Sequence, residues 1–205
     1  MRKVISITTM FVTIVTIFLS GCSSQLEFPS INNTASSSYT YGQVVWRDLV
    51  TPNPKEAADF YKKVFGWTST QVGTDDQQYW IFKSNGKPVG GMFLMANPKN
   101  NAGGEWIPYY SVNSVDDIAN KCKSSGGKIA ISPKVMEGRG KAALLSDPQD
   151  ALFAVIKSDN GDPDRSVILD NDFLWSELWS NDMTKSSEFY KNLFNAQIDS
   201  RKDDE

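Results

Sequence analysis

Asp48 lies two positions after Trp46, and Arg139 sits in the run Glu137-Gly138-Arg139-Gly140. Of the ionisable side chains, these two offer the clearest chemistry. Residues two apart on a strand share a face. If Trp46 is buried, Asp48 beside it is a candidate general base; a solvated or hydrogen-bonded strand carboxylate is the competing reading. Arg139 has the reach to hold an anionic ligand at the mouth of a cleft, or it is an ordinary surface-loop arginine. The 205 residues include no histidine, which excludes Ser-His-Asp and Cys-His nucleophilic arrangements. There is also no Gly-Lys-Ser/Thr loop to cradle phosphates. Cys122 occupies an apolar position of an expected helix and reads as a buried, inert thiol.

The elements that must position these residues follow from patterning. Val44–Val50 reads as a strand. Asn53 is placed to cap the next helix, with Pro54 at its first position and Glu56 set for a capping box. Ala57, Ala58, Phe60, Tyr61, Val64 and Phe65 follow helical spacing, and Gly66 ends the run. Phe60, Tyr61, Phe65 and Trp67 are expected in the core. Strands follow at about 79–84 and 89–95, joined by Asn85-Gly86. The order then recurs: a strand at 106–112, a helix capped by Ser114 and stopped by Gly126-Gly127, and strands near 128–131, 141–146 and 151–157. Residues 41–158 therefore read as two β-α-β-β-β units. A second, longer repeat overlies this one. Trp46, Leu49, Phe60, Tyr61 and Phe65 recur as Trp175, Leu178, Phe189, Tyr190 and Phe194 at a single offset. Residues 159–171 read as a linker. Residues 172–205 read as an incomplete second copy, with a strand at about 173–179, a helix at 183–194 and a poorly ordered end after Ile198.

As a set, these residues resemble the vicinal oxygen chelate superfamily of glyoxalases, bleomycin resistance proteins and dioxygenases. The carriers are Trp46-Arg47-Asp48-Leu49, Phe60-Tyr61 with Val64-Phe65-Gly66-Trp67, Val89-Gly90-Gly91-Met92, Tyr110-Ser111-Val112, and Asp147-Pro148-Gln149 before Ala151-Leu152-Phe153. The resemblance implies an α+β fold in which paired βαβββ modules form a half-open sheet around a cleft. It also implies where a metal would be held in relatives that use one. Those positions fall at Trp46, near Gly91, near Ile107 and at Ala154, none of which can ligate a divalent cation. No metal or other cofactor is therefore expected. Family geometry turns Trp46 and Asp48 toward the cleft. Tyr79, Trp106, Tyr109, Arg139 and Ala154 are the further candidates for its wall, with either member of the pairs Tyr79/Trp80 and Tyr109/Tyr110 able to point inward. Such a cleft suits a planar or aromatic small molecule, unless Trp46 fills it as core. A glyoxalase-like lyase or dioxygenase, or a metal-independent relative using Asp48, is the enzymatic alternative. An envelope interaction module that forms homodimers is a third. Asp150 replaces the glycine usual after Asp-Pro-x and is expected in a left-handed conformation.

Residues 1–21 carry Arg2 and Lys3, a short apolar run, and Leu19-Ser20-Gly21 before Cys22. They resemble a bacterial lipoprotein signal, which implies lipidation of Cys22 and attachment to a membrane of the cell envelope, the outer one where the cell has two. Residues 22–40 are rich in Ser, Asn and Thr and read as a flexible tether. The formal net charge of -3 grows more negative on loss of Arg2 and Lys3, and there is no basic run. Nucleic acid is not an expected partner. With Cys22 acylated, Cys122 has no disulfide partner in the chain.

Overall fold

A computed structural model describes residues 28–72, 78–95, 103–166 and 170–197. The expected signal segment, Cys22 and the chain after 197 lie outside them. The first module runs β1 (Val44–Thr51), α1 (Pro54–Phe65), β2 (Thr68–Val72), β3 (Tyr79–Ser84) and β4 (Lys87–Leu94). The second runs β5 (Glu105–Ser111), α2 (Val115–Ser124), β6 (Lys128–Met136), β7 (Gly140–Ser146) and β8 (Leu152–Ser158). A third helix, α3 (Met183–Phe194), follows.

The eight strands among the described residues form one sheet in the order β2-β3-β4-β1-β5-β8-β7-β6. Each module is closed by a parallel pair, β1 with β4 and β5 with β8. The modules meet where β1 and β5 pair antiparallel. This is the α+β arrangement of paired βαβββ units around a half-open cleft. One sheet face forms the cleft, with Trp46, Val50, Tyr79, Phe93, Ile107, Tyr109 and Ala154 buried in a single cluster. The other face packs under the helices in two clusters. Leu49, Trp67, Phe82 and Met92 lie beneath α1. Phe153 and Val155 of β8 pack against Val115 and Cys122 of α2 and against Phe189 and Leu193 of α3.

Local chemistry explains most of the element boundaries. Asn85 and Gly86 have φ of 48° and 79° and form the tight β3–β4 turn. Gly66 ends α1 at φ 70°. The Ser114 side chain accepts from the Asp117 amide at the start of α2. Asp150 takes φ 69°, as the missing glycine implies.

Four expectations need correction. The Asn53 side chain makes no capping bond, and only its carbonyl accepts, from the Ala57 amide. β2 has no counterpart in the sequence reading; its Thr-Ser-Thr-Gln-Val is polar and nearly all exposed, as suits an edge strand. The expected strand at 173–179 is irregular, because both edges of β1 and β5 are already paired and no ladder partner remains beside it. Finally, residues 28–40 do not hang free. Their backbone bonds to residues 137 and 160–162, and Asn32 Nδ2 donates to the carbonyls of Asn160 and Asp162 at 3.1 and 3.0 Å. Phe28 and Ile31 are buried, and this apolar burial offsets the entropy of ordering the segment.

Candidate functional site

The cleft is built around Asp48. Strand alternation places Trp46, Asp48 and Val50 on the cleft face of β1. Asp48 is opposite Gly91 on one side and Ile107 on the other. Its Oδ1 accepts from Trp46 Nε1 at 2.9 Å and from the Tyr79 hydroxyl at 2.7 Å. Its Oδ2 accepts from Arg139 Nη1 at 3.3 Å. Arg139 Nη2 donates in turn to the Tyr79 oxygen at 2.7 Å. Asp48 and Arg139 are both sealed from solvent. Burial alone would lower the Arg139 pKa, but Tyr79 and Asp48 more than offset it and the guanidinium stays charged. Burial, reinforced by the Asp48 charge, raises the Tyr79 and Tyr109 hydroxyls well above their ordinary range. Both phenols are neutral donors here, not bases.

Arg139 is therefore neither a surface arginine nor a free anion clamp. The β6–β7 turn carries it inward, and each of its three nitrogens is hydrogen-bonded, to Pro29 in the strap of residues 28–31, to Asp48 and to Tyr79. Its Nε donates to the Pro29 carbonyl at 3.1 Å. The Phe28 ring sits in the cleft, 5.8 Å from the Tyr79 ring and 5.7 Å from Phe93, with the guanidinium 5.2 Å from its centroid. Beyond Phe93 a cavity of about 70 Å³ remains, lined mainly by apolar side chains including Ile107, Tyr109, Met136, Leu144 and Ala154.

Of the sequence candidates, Trp46, Asp48, Tyr79, Tyr109, Arg139 and Ala154 converge in the cleft. Trp106 does not. It faces the helices, donates from Nε1 to the Tyr61 hydroxyl at 2.7 Å, and packs on Trp67 and Phe82. Its neighbour Ile107 takes the cleft-facing place. Sequence reasoning missed Phe28 and Pro29, whose only signal was two large apolar residues, Phe28 and Ile31, three apart in a polar tract.

The positions that hold a metal elsewhere in such folds do not suit one here. Trp46, Gly91, Ile107 and Ala154 offer no side-chain donor to a cation except Trp46's N–H, which cannot ligate. A Cβ on Gly91 would overlap the Tyr79 hydroxyl and Asp48 Oδ1, so the space beside this glycine is already filled by its neighbours. Among the described residues no three carboxylate or thiol side chains converge.

This geometry agrees with the comparisons to known proteins. The profile of the Glyoxalase/Bleomycin resistance protein/Dioxygenase superfamily matches residues 41–155. The chain belongs to that superfamily. "Putative glyoxylase CFP32" of Mycobacterium tuberculosis (strain CDC 1551 / Oshkosh) is 33% identical over 117 residues, which cover 57% of this chain and 44% of the relative. The anthracycline biosynthesis protein DauV of Streptomyces sp. (strain C5) is 27% identical over 163 residues, covering 73% and 59%. The chain thus spans about half the length of these relatives. Among solved structures, the Mn(II)-bound glyoxalase from Novosphingobium aromaticivorans superposes with a TM-score of 0.54 at 17% identity, covering 75% of this chain and 52% of that one. That likeness concerns the fold.

Proposed function

We propose that this chain is a lipid-anchored member of the superfamily whose cleft binds a small planar or aromatic molecule without a metal and without turning it over. The observation that carries the reading is the Phe28 ring. It occupies the cleft as an aromatic guest would, against Tyr79, Phe93 and the Arg139 guanidinium. The remaining cavity of about 70 Å³ is well below the ~150 Å³ that admits a benzene. A ligand therefore enters by displacing Phe28. Asp48 is matched by Arg139 and two neutral donors, which supports a positioning role and argues against a free general base.

The test is tryptophan fluorescence titrated with a panel of aromatic compounds, using the wild type, Phe28→Ala and Trp46→Ala. Saturable quenching is expected, tighter in Phe28→Ala and lost in Trp46→Ala. A flat response in wild type and Phe28→Ala alike would overturn the binding reading. Stoichiometric Mn, Fe, Ni or Zn in purified protein would instead favour the lyase or dioxygenase alternative, which the glyoxalases and dioxygenases of the superfamily support. Homodimer formation is the third reading, and the exposed Phe60, Val64, Trp175 and Trp179 support it. A strict monomer by light scattering would remove it.

A further inference from the structure

A second pocket lies on the opposite face of the sheet from the cleft, at the seam between the two helix-side clusters. Its volume is about 640 Å³. The floor is Arg47, which strand alternation turns away from the Asp48 side. The roof is the irregular segment through Phe173, Trp175 and Ser176, with Arg165 and Lys87 at the wall.

Arg47 is 6% exposed. Its Nε and Nη2 share one hydroxyl, that of Ser176, at 3.3 and 2.9 Å. Its guanidinium carbon lies 4.5 Å from the Phe173 ring centroid. Nη1 is buried with no hydrogen-bond partner among the described residues, and so is Arg165 Nε. Buried donors on charged groups are costly to leave unmade. The remaining contacts of Arg165 are long, 3.5 Å to the Val45 carbonyl and 3.7 Å to Asp172. Burial and the nearby Arg165 charge pull the Arg47 pKa down to about 10. Lys87 adds a third cation to the lining, and Asp164 and Asp172 are the two anions. One positive charge is left over, with orphaned planar donors beside aromatic walls.

We infer that this pocket binds the carboxylate of a small aromatic acid, the oxyanion accepting from Arg47 and Arg165 and the ring lying against Phe173 and Trp175. A carboxylate offers two oxygens, one for each arginine with an orphaned nitrogen, in charge-assisted hydrogen bonds. A single negative charge matches the surplus, whereas a phosphate dianion would meet Asp164 and Asp172 unneutralised. The inference does not depend on the reading of the cleft, since the two sites are on opposite faces of the sheet.

Benzoate is the probe, followed through the indole N–H resonances of the intact ¹⁵N-labelled protein, with Trp175 assigned from Trp175→Phe. A saturable shift of the Trp175 signal is expected, with the Trp46 signal tracking it weakly or not at all. The apparent Kd should rise at least ten-fold in Arg165→Gln and in Arg47→Gln. Because Arg47 is buried and its variant is at risk of misfolding, the partly exposed Arg165 carries the decision. Benzyl alcohol, which has the ring without the charge, should leave Trp175 unmoved. A Trp175 signal that stays fixed under benzoate, or a shift that persists unchanged in Arg165→Gln, would overturn the site. Inorganic phosphate shifting Trp175 at concentrations where benzoate does not would overturn the carboxylate assignment.

Discussion

At Asp48 and Arg139 the chain keeps a fully buried ion pair in the cleft. Desolvating two charges costs several kcal/mol per ion, which further hydrogen bonds from Trp46 and Tyr79 and to Tyr79 and Pro29 offset. Arg139→Met leaves Asp48 buried without its counter-ion, so a loss of about 3–5 kcal/mol is expected. Adding Asp48→Leu removes the stranded charge. It leaves only the Tyr79 hydroxyl proton without an acceptor, at about 1–3 kcal/mol, because Trp46 Nε1 keeps the Tyr79 oxygen as an acceptor at 3.3 Å. Urea denaturation should therefore find the double variant no less stable than Arg139→Met alone. A double variant less stable by the full sum of the two single losses would show that the pair is not coupled. Cys122 gives a second residue-scale expectation. Burial, with the Asp147 charge adding to it, pushes its thiol up to about 11 from the ordinary 9.0. The folded state thus favours the protonated form. That contribution is complete below pH 9 and is lost as pH rises toward 11. In a Cys22→Ser background, Cys122 should resist thiol reagents at pH 8 until the protein is unfolded.

The internal repeat makes a controlled comparison at the scale of elements. Phe60 on α1 and Phe189 on α3 occupy equivalent repeat positions, yet Phe60 is 57% exposed and Phe189 is 4% exposed. α3 packs beside α2 on the β5/β8 side, where Phe153 and Phe189 meet edge to face at 6.2 Å and Tyr110 stacks on Phe194 at 4.5 Å. α1 buries no residue fully, and its Phe60 and Phe65 do not join the core as the spacing predicts. Phe189→Ala should cost about 3–5 kcal/mol and Phe60→Ala about 0.5 kcal/mol or less, read from denaturation midpoints. Equal losses would mean that α1 is covered in solution. The same contrast shows what the sequence made legible. Periodicity and turn chemistry located both modules, because apolar spacing, Gly66, Asn85-Gly86 and Ser114 act locally. Strand alternation put Trp46 and Asp48 on one face for the same reason. Which member of Tyr79/Trp80 or Trp106/Ile107 turns inward depends on the register against Gly91 and Asp48, a long-range matter. β2 carries no apolar pattern at all. The strap was hidden because its overall polarity masks Phe28 and Ile31, and because Arg139, the group that receives it, lies more than a hundred residues away.

For the whole molecule, the question is where the cleft sits relative to a membrane. No helix among the described residues is long and apolar enough to cross one; in the proposed reading attachment is through Cys22, whose acyl chains would each contribute about 0.8 kcal/mol per buried methylene. Phe28 is six positions after Cys22, and a chain spans at most about 3.6 Å per residue. On the proposed reading, a lipid on Cys22 would hold the Phe28 ring, and with it the mouth of the cleft, within about 20 Å of the bilayer surface. The anchor and the plug are then one short segment, and a guest that displaces Phe28 arrives from the layer of solution or headgroups next to the membrane. Cys22→Ser should move the protein from the membrane fraction to the soluble fraction and abolish palmitate labelling. It should leave the fold and the affinity for water-soluble aromatic compounds unchanged, because residues 28–197 make the contacts that build the cleft. Cys22→Ser protein that still fractionates with membranes would refute the anchor. Weakened binding of soluble ligands by the same variant would show that the residues before Phe28 help to form the site.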